Sequence, residues 1–72
     1  MDRTKYEIEI AHHVFSRALE RKIDPDVIKS VIWNGKIERF GKHYIKFKSK
    51  SIVCIGEIKG MKLKIITIGW RN

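Results

Sequence analysis

The run Ala11-His12-His13-Val14-Phe15-Ser16-Arg17-Ala18-Leu19-Glu20-Arg21-Lys22-Ile23 carries two patterns at once. Ala11, Val14, Phe15, Ala18 and Leu19 recur at i, i+3, i+4, i+7 and i+8, and Lys22 and Ile23 close the stripe. That is the spacing of one buried helix face, so a helix packed on a core is expected. The opposite face shows His13, Arg17 and Arg21, each four residues from the next and so one above another. Two arginines at this spacing repel by roughly 0.2–0.5 kcal/mol, partly offset by Glu20 three residues after Arg17. Two fixed cations and an imidazole in a row suit an anionic phosphate. The competing reading is an ordinary solvated helix face.

Outward from this helix, the periodicity supplies the other elements. Tyr6-Glu7-Ile8-Glu9-Ile10 alternates apolar and acidic, the pattern of a half-buried strand. Asp24-Pro25-Asp26 ends the first helix and starts a second: Asp24 as N-cap, Pro25 at the first helical position, Asp26 on the positive end of the dipole. Val27, Ile28, Val31 and Ile32 give the second helix its buried face, with Trp33 beside them expected in the core. Asn34-Gly35 ends it, Gly35 being suited to a left-handed cap. From Lys36 the period becomes two. Strands are expected at 37–40, 43–48, 52–58 and 61–68, with turns at Gly41-Lys42, Ser49-Lys50-Ser51 and Lys59-Gly60 and a tail from Gly69. The expected fold class is α+β: strand, helix, helix, then a four-stranded antiparallel meander, in two layers with the helices on one sheet face.

Seventy-two residues suffice for one domain, residues 1–72. The chain is 43% hydrophobic, enough for a compact core without staples. Its one cysteine, Cys54, lies in an apolar run and reads as core. A lone cysteine forms no internal disulfide and has no second thiol with which to share a metal. His12 beside His13 does not make a metal site either, because adjacent helical residues point about 100° apart. No cofactor is expected. No apolar run approaches a membrane span, and Met1–Lys5 lead into alternation rather than a signal segment, so a cytoplasmic location is expected.

The formal charge is +8, and it is unevenly placed. Residues 1–35 hold six basic and six acidic residues, whereas residues 36–72 hold ten basic against Glu38 and Glu57. On the sheet, Tyr44, Lys46, Lys48, Lys62 and Lys64 fall on the face that the helices leave open. An aromatic among lysines can stack a base while the lysines hold phosphates, so these five are the expected nucleic-acid-binding residues. Exposed strands also carry lysine simply against edge pairing.

The pattern H-x-x-x-R-x-x-E-R-x-I, matched by His13, Arg17, Glu20, Arg21 and Ile23, resembles a widespread family of small bacterial and archaeal domains of unknown function. Their usual signature is H-A-x-x-R-x-x-E-R-G-I. The resemblance covers about residues 8–68, through the acidic start of the second helix and the final I-I-T-I strand. Val14 stands where that signature has a small residue and Lys22 where it has glycine, so the turn after the helix is expected to differ. Those domains look like relatives of the BrnT and RelE/ParE toxin superfamily. The resemblance implies a RelE/BrnT-toxin-like fold, metal-independent RNA cleavage of the mRNA-interferase kind in several members, and an antitoxin covering the basic surface.

Such cleavage needs a base for the 2′-OH, stabilisation of the pentavalent phosphate and an acid for the leaving oxygen. His13 is the candidate for proton transfer, and Arg17 and Arg21 for the electrostatic contribution. His43, Tyr44 and Lys46 are candidates for the second proton-transfer group. In two layers the helix's polar face should point away from the sheet, which counts against a joint site. A helix edge or Trp70-Arg71 would have to bridge the two. The expected function is a small basic toxin-like RNA-binding protein acting as an endoribonuclease of a toxin–antitoxin pair, monomeric or homodimeric, with RNA and an acidic antitoxin protein as partners. The alternative is a non-catalytic module that binds nucleic acid or protein.

Overall fold

The structure, a computed structural model, describes residues 3–70. A short 3-10 turn at Arg3–Lys5 leads into β1 (Glu7–Ile10), α1 (His12–Glu20), α2 (Pro25–Asn34), β2 (Lys36–Phe40), β3 (Tyr44–Lys48), β4 (Ile52–Lys59) and β5 (Lys62–Trp70). The fold is α+β, with two helices on a five-stranded sheet of order β1-β5-β4-β3-β2. An antiparallel meander alone does not describe this sheet. Strands β2 to β5 are antiparallel in sequence, but β1 lies parallel to β5, pairing Glu7–Ile10 with Lys62–Ile65. The sheet is therefore mixed, and its two ends in sequence are joined. The segment expected to be a tail from Gly69 continues β5 to Trp70, while Arg71 lies outside the described residues.

One face of the sheet carries both helices. Helix α1 packs on β5, and α2 on β4 and β3. Val14, Ala18, Ile28, Val31 and Ile32 from the helices meet Ile45, Phe47, Cys54, Leu63, Ile65 and Ile68 from the strands, all buried. Two expected core residues are not in it. Leu19 is 65% exposed and Trp33 48% exposed, because each sits on the border of its helix stripe and the two-layer arrangement covers only the sheet side.

The helix ends follow from backbone requirements. At the start of α2 the Asp24 carboxylate accepts from the Asp26 N–H at 2.9 Å, with Pro25 at the first helical position. At the end of α1, Lys22 adopts φ 59, and the Ile23 N–H reaches the Ala18 carbonyl at 2.7 Å while the Lys22 N–H reaches Leu19 at 3.1 Å. That pair of bonds is a Schellman motif, with buried Ile23 as its apolar anchor. A lysine thus occupies a left-handed position. Gly35 does not: it is extended, with φ −71 and ψ 158. Glycine is needed there for space, since a Cβ would stand 2.3 Å from the Val31 carbonyl oxygen and 2.8 Å from that of Lys48. The C-terminus of α2 is satisfied from elsewhere. Arg3 donates to the carbonyls of Ile32 and of Gly35, the latter at 3.1 Å, and lies 5.9 Å from the Phe47 ring.

Candidate nucleic-acid interface

Strand β5 positions the helix row. Its register with β4 runs from Gly56↔Ile65 to Ile55↔Thr67, so Ile66 is one extra residue in β5. Such a bulge reverses the strand's alternation. Leu63 and Ile65 are buried before it, and Ile68 after it. Gly56 permits the tight pairing, because a Cβ there would lie 2.9 Å from a Leu63 methyl. Strand β1 ends at Ile10, opposite Ile65, where the chain turns into α1. From Ile66 onward, that edge of β5 has no strand partner among the described residues.

Helix α1 fills this gap with two members of its polar row. His13 Nε2 lies 2.8 Å from the Ile66 carbonyl oxygen, and Arg21 Nη1 donates to the Ile68 carbonyl at 2.6 Å. Trp70 closes the end of the edge by donating from Nε1 to the Arg21 carbonyl at 3.1 Å. The row therefore does not point away from the sheet. It runs along the sheet's edge, because the helix axis lies over β5 and the row is on its outer flank. Arg17, between the two tied residues, is exposed, and its side chain makes no hydrogen bond or ion pair among the described residues. A carbonyl oxygen only accepts, so His13 Nε2 carries hydrogen in this contact. Nδ1 is then the ring atom that remains to bind or release a proton.

The second expected group lies on the open sheet face. Register aligns Phe40, Tyr44, Glu57, Lys64 and Glu9 in one cross-strand row, and Glu38, Lys46 and Ile55 in the next. Lys48 follows beside Val53, and Lys62 beside Lys59. Tyr44, Lys46, Lys48, Lys62 and Lys64 do share this face, but it is not uniformly basic. Lys48 pairs with Glu38 at 2.5 Å, Lys59 with Glu57 at 3.5 Å and Lys62 with Glu9 at 3.7 Å. The hydrogen bond from Lys48, and then its charge, hold the Glu38 carboxyl below its ordinary 4.5. Lys36 and Lys64 have no such partner among the described residues.

The positive charge that remains gathers at the β2–β3 hairpin. From Arg39 to Gly56 the chain has no carboxylate, while Arg39, Lys42 and His43 are exposed around the turn. Phe40 and Tyr44 face each other across it, rings stacked at 5.5 Å and 19°, each more than a third exposed. Lys46 Nζ lies 5.6 Å from the Phe40 ring centre. Phe40 was not among the residues expected to bind nucleic acid. The signal was present: Lys36, Glu38 and Phe40 share one side of a period-two strand, and a three-residue turn sets Phe40 opposite Tyr44.

The two groups are separate. Tyr44 is on β3, two strand spacings or about 10 Å from β5, and it faces the side opposite the helices. His43 and Tyr44 are therefore not placed beside His13. No cleft opens at either group, and no cluster of three or more metal-ligand side chains occurs among the described residues. Cys54 is buried, and burial pushes its thiol up from the ordinary 9.0 to about 12, so it is no nucleophile at neutral pH. No helix among the described residues is long and apolar enough to cross a membrane. Comparison with family models, curated proteins and solved structures returned no match.

Proposed function

We propose that the protein binds RNA through the open face of its sheet. The observation that carries this reading is the distribution of charge: all of the +8 excess belongs to residues 36–72, of which 36–70 supply four of the five strands of this sheet. Three of its lysines are neutralised by glutamates, and the hairpin end keeps its charge. Binding of this kind releases counterions, so affinity falls steeply with salt. Titration of labelled RNA at several salt concentrations tests it. A slope reporting several phosphate contacts supports the reading, and an absence of binding at low salt refutes it.

A second reading, metal-independent RNA cleavage by a toxin with an acidic antitoxin, is favoured by one observation. The Ile66 carbonyl engages His13 Nε2 and leaves Nδ1 open, one helical turn from the Arg17 side chain, which has no partner among the described residues. In this reading His13 transfers a proton while Arg17 and the remaining donors of Arg21 hold the phosphate. It agrees with the resemblance of the H-x-x-x-R-x-x-E-R-x-I helix to relatives of the BrnT and RelE/ParE toxins. Incubation with RNA in EDTA tests it: cleavage by wild type that is lost in Arg17→Gln supports it, and intact RNA refutes it.

A further inference from the structure

We propose that the β2–β3 hairpin is a base-stacking subsite, and that the nucleic acid this protein takes is therefore single-stranded. The proposal rests on the RNA-binding reading and deepens it. Paired bases in a duplex hide their faces, so exposed rings are of no use to a protein that only tracks duplex phosphates. Here Phe40 and Tyr44 stand 39% and 38% exposed at the edge of an open sheet face. Water would be expected to drive such rings inward, yet register holds them outward, opposite each other, on the side away from the core. Stacked at 5.5 Å and 19°, each ring covers part of one face of the other, which fixes the pair in place while leaving each more than a third exposed. Two cations flank it: Lys46 over the Phe40 ring and Lys42 exposed in the turn beyond it, while Arg39, paired with Ile45, lies on the other face of the strand.

Two carboxylates are near, and both are engaged elsewhere: Glu38, opposite Lys46, is paired with Lys48 at 2.5 Å. Glu57 lies opposite Tyr44, but its Oε1 is 3.5 Å from Lys59 Nζ. An unpaired base laid on the rings would place its flanking phosphates toward Lys42 and Lys46. Because every base has a π-face, the subsite would be tolerant of sequence. The competing explanation is that the rings only stabilise the hairpin as a cross-strand pair. Leucine separates the two, since it keeps an apolar cross-strand contact and removes the π-face.

The experiment is fluorescence anisotropy with a labelled oligonucleotide of about twelve nucleotides, in four forms: single-stranded RNA, single-stranded DNA, duplex RNA and an abasic sugar-phosphate strand. Wild type, Phe40→Leu, Tyr44→Leu and Lys64→Gln are compared, with thermal unfolding to show that each variant is folded. The expected result is that wild type prefers both single strands to the duplex and to the abasic strand. Phe40→Leu and Tyr44→Leu should each bind single strands about 5- to 100-fold more weakly with an unchanged salt slope. Lys64→Gln should weaken all forms alike and reduce the slope by about one. If the abasic strand or the duplex binds as tightly as the single strands, the subsite is refuted. Ring variants that bind like wild type refute it too, while RNA binding itself stands. If wild type binds none of the four at low salt, RNA binding fails and the subsite with it. Equal affinity for the RNA and DNA strands supports stacking without a sugar contact, and a preference for RNA beside intact ring effects supports stacking with a 2′-OH contact.

Discussion

Lys22→Gly should stabilise the protein, although the side chain it removes makes no hydrogen bond or ion pair among the described residues. Lys22 sits at φ 59, where the Cβ of an L-residue crowds the following carbonyl. Relief of that crowding is worth about 1–2 kcal/mol. Against it stands the larger entropy that glycine loses on folding, about 0.4–1 kcal/mol. The attraction of an exposed ammonium to the helix C-terminus, about 0.3 kcal/mol, is lost as well. Lys22 makes no ion pair among the described residues, so no other loss enters. At mid-range the net is a gain of about 0.5 kcal/mol, or about 2–4 °C in Tm for a chain of this size. Both Schellman bonds use backbone atoms and survive the change. Urea unfolding, followed by tryptophan fluorescence and by circular dichroism, should show a higher midpoint with an unchanged m-value. Lys22→Ala removes the charge but keeps the crowding, and should be neutral or slightly destabilising. Lys22→Asn should fall between, since asparagine tolerates this region better than most residues. A glycine variant no more stable than the alanine variant would refute the assignment of strain to this position.

Gly35→Ala should cost about 2–3 kcal/mol, because its Cβ meets two backbone carbonyls that cannot swing aside; a urea midpoint within error of wild type would sink that account. Cys54 should resist iodoacetamide at pH 8 in the native state and react in denaturant. Its thiol stays neutral in the fold up to about 12, whereas an unfolded chain ionises near 9.0, so stability should decline as pH rises through that interval. The part due to Cys54 is isolated by comparing urea midpoints with Cys54→Val, in which it should be absent. Glu38 has the opposite sign. Its folded pKa is depressed by Lys48, so its stabilisation is present above the ordinary 4.5 and lost as pH falls through the folded value. Lys48→Met should return the Glu38 titration, followed by carboxyl NMR, toward its ordinary position; an unmoved titration would show that the pair is not formed in solution.

What could be read from the chain beforehand was whatever local chemistry dictates. Asp24-Pro25-Asp26 names a helix start because each residue has a position-specific role there, and the structure has all three in place. The period-two runs from Lys36 locate strands, since alternation reports a half-buried sheet whatever its partner. Nothing in Glu7–Ile10 could name β5 as its partner, because parallel pairing across some fifty residues leaves no local mark. The bulge was equally hidden: Ile65 and Ile66 are the same residue type, so the slip in phase between them is silent. The β4–β5 turn is displaced by one residue for a related reason. Gly60 takes φ 60, and Met61 completes the two-residue loop that Lys59-Gly60 had suggested. The left-handed cap was assigned to the glycine that follows a helix, Gly35, when crowding explains that glycine and a lysine holds the cap. Of the candidate site, the outward lysines were legible from alternation. Their glutamate partners were not, because those come from strands whose neighbours were unknown.

The bulge at Ile66 also decides how the helix row must be interrogated. By reversing the alternation of β5, it turns the Ile66 and Ile68 carbonyls toward α1 beyond the end of β1, and buried or half-buried carbonyls of this kind need donors. His13 and Arg21 supply them, which is a sufficient structural reason for both residues. Their presence alone is therefore weak support for phosphate chemistry. It does not oppose that chemistry either: an arginine has five donors, of which one is engaged at Ile68, and His13 keeps Nδ1. Arg17 differs from both. It lies between them on the same flank, and no strand, carboxylate or carbonyl among the described residues makes use of it. Loss of cleavage in His13→Ala would have two explanations, a missing proton carrier or a loosened sheet edge. Loss in Arg17→Gln, with unfolding unchanged, has only the chemical one. The residue that the fold does not need is the one that can report on what the row does.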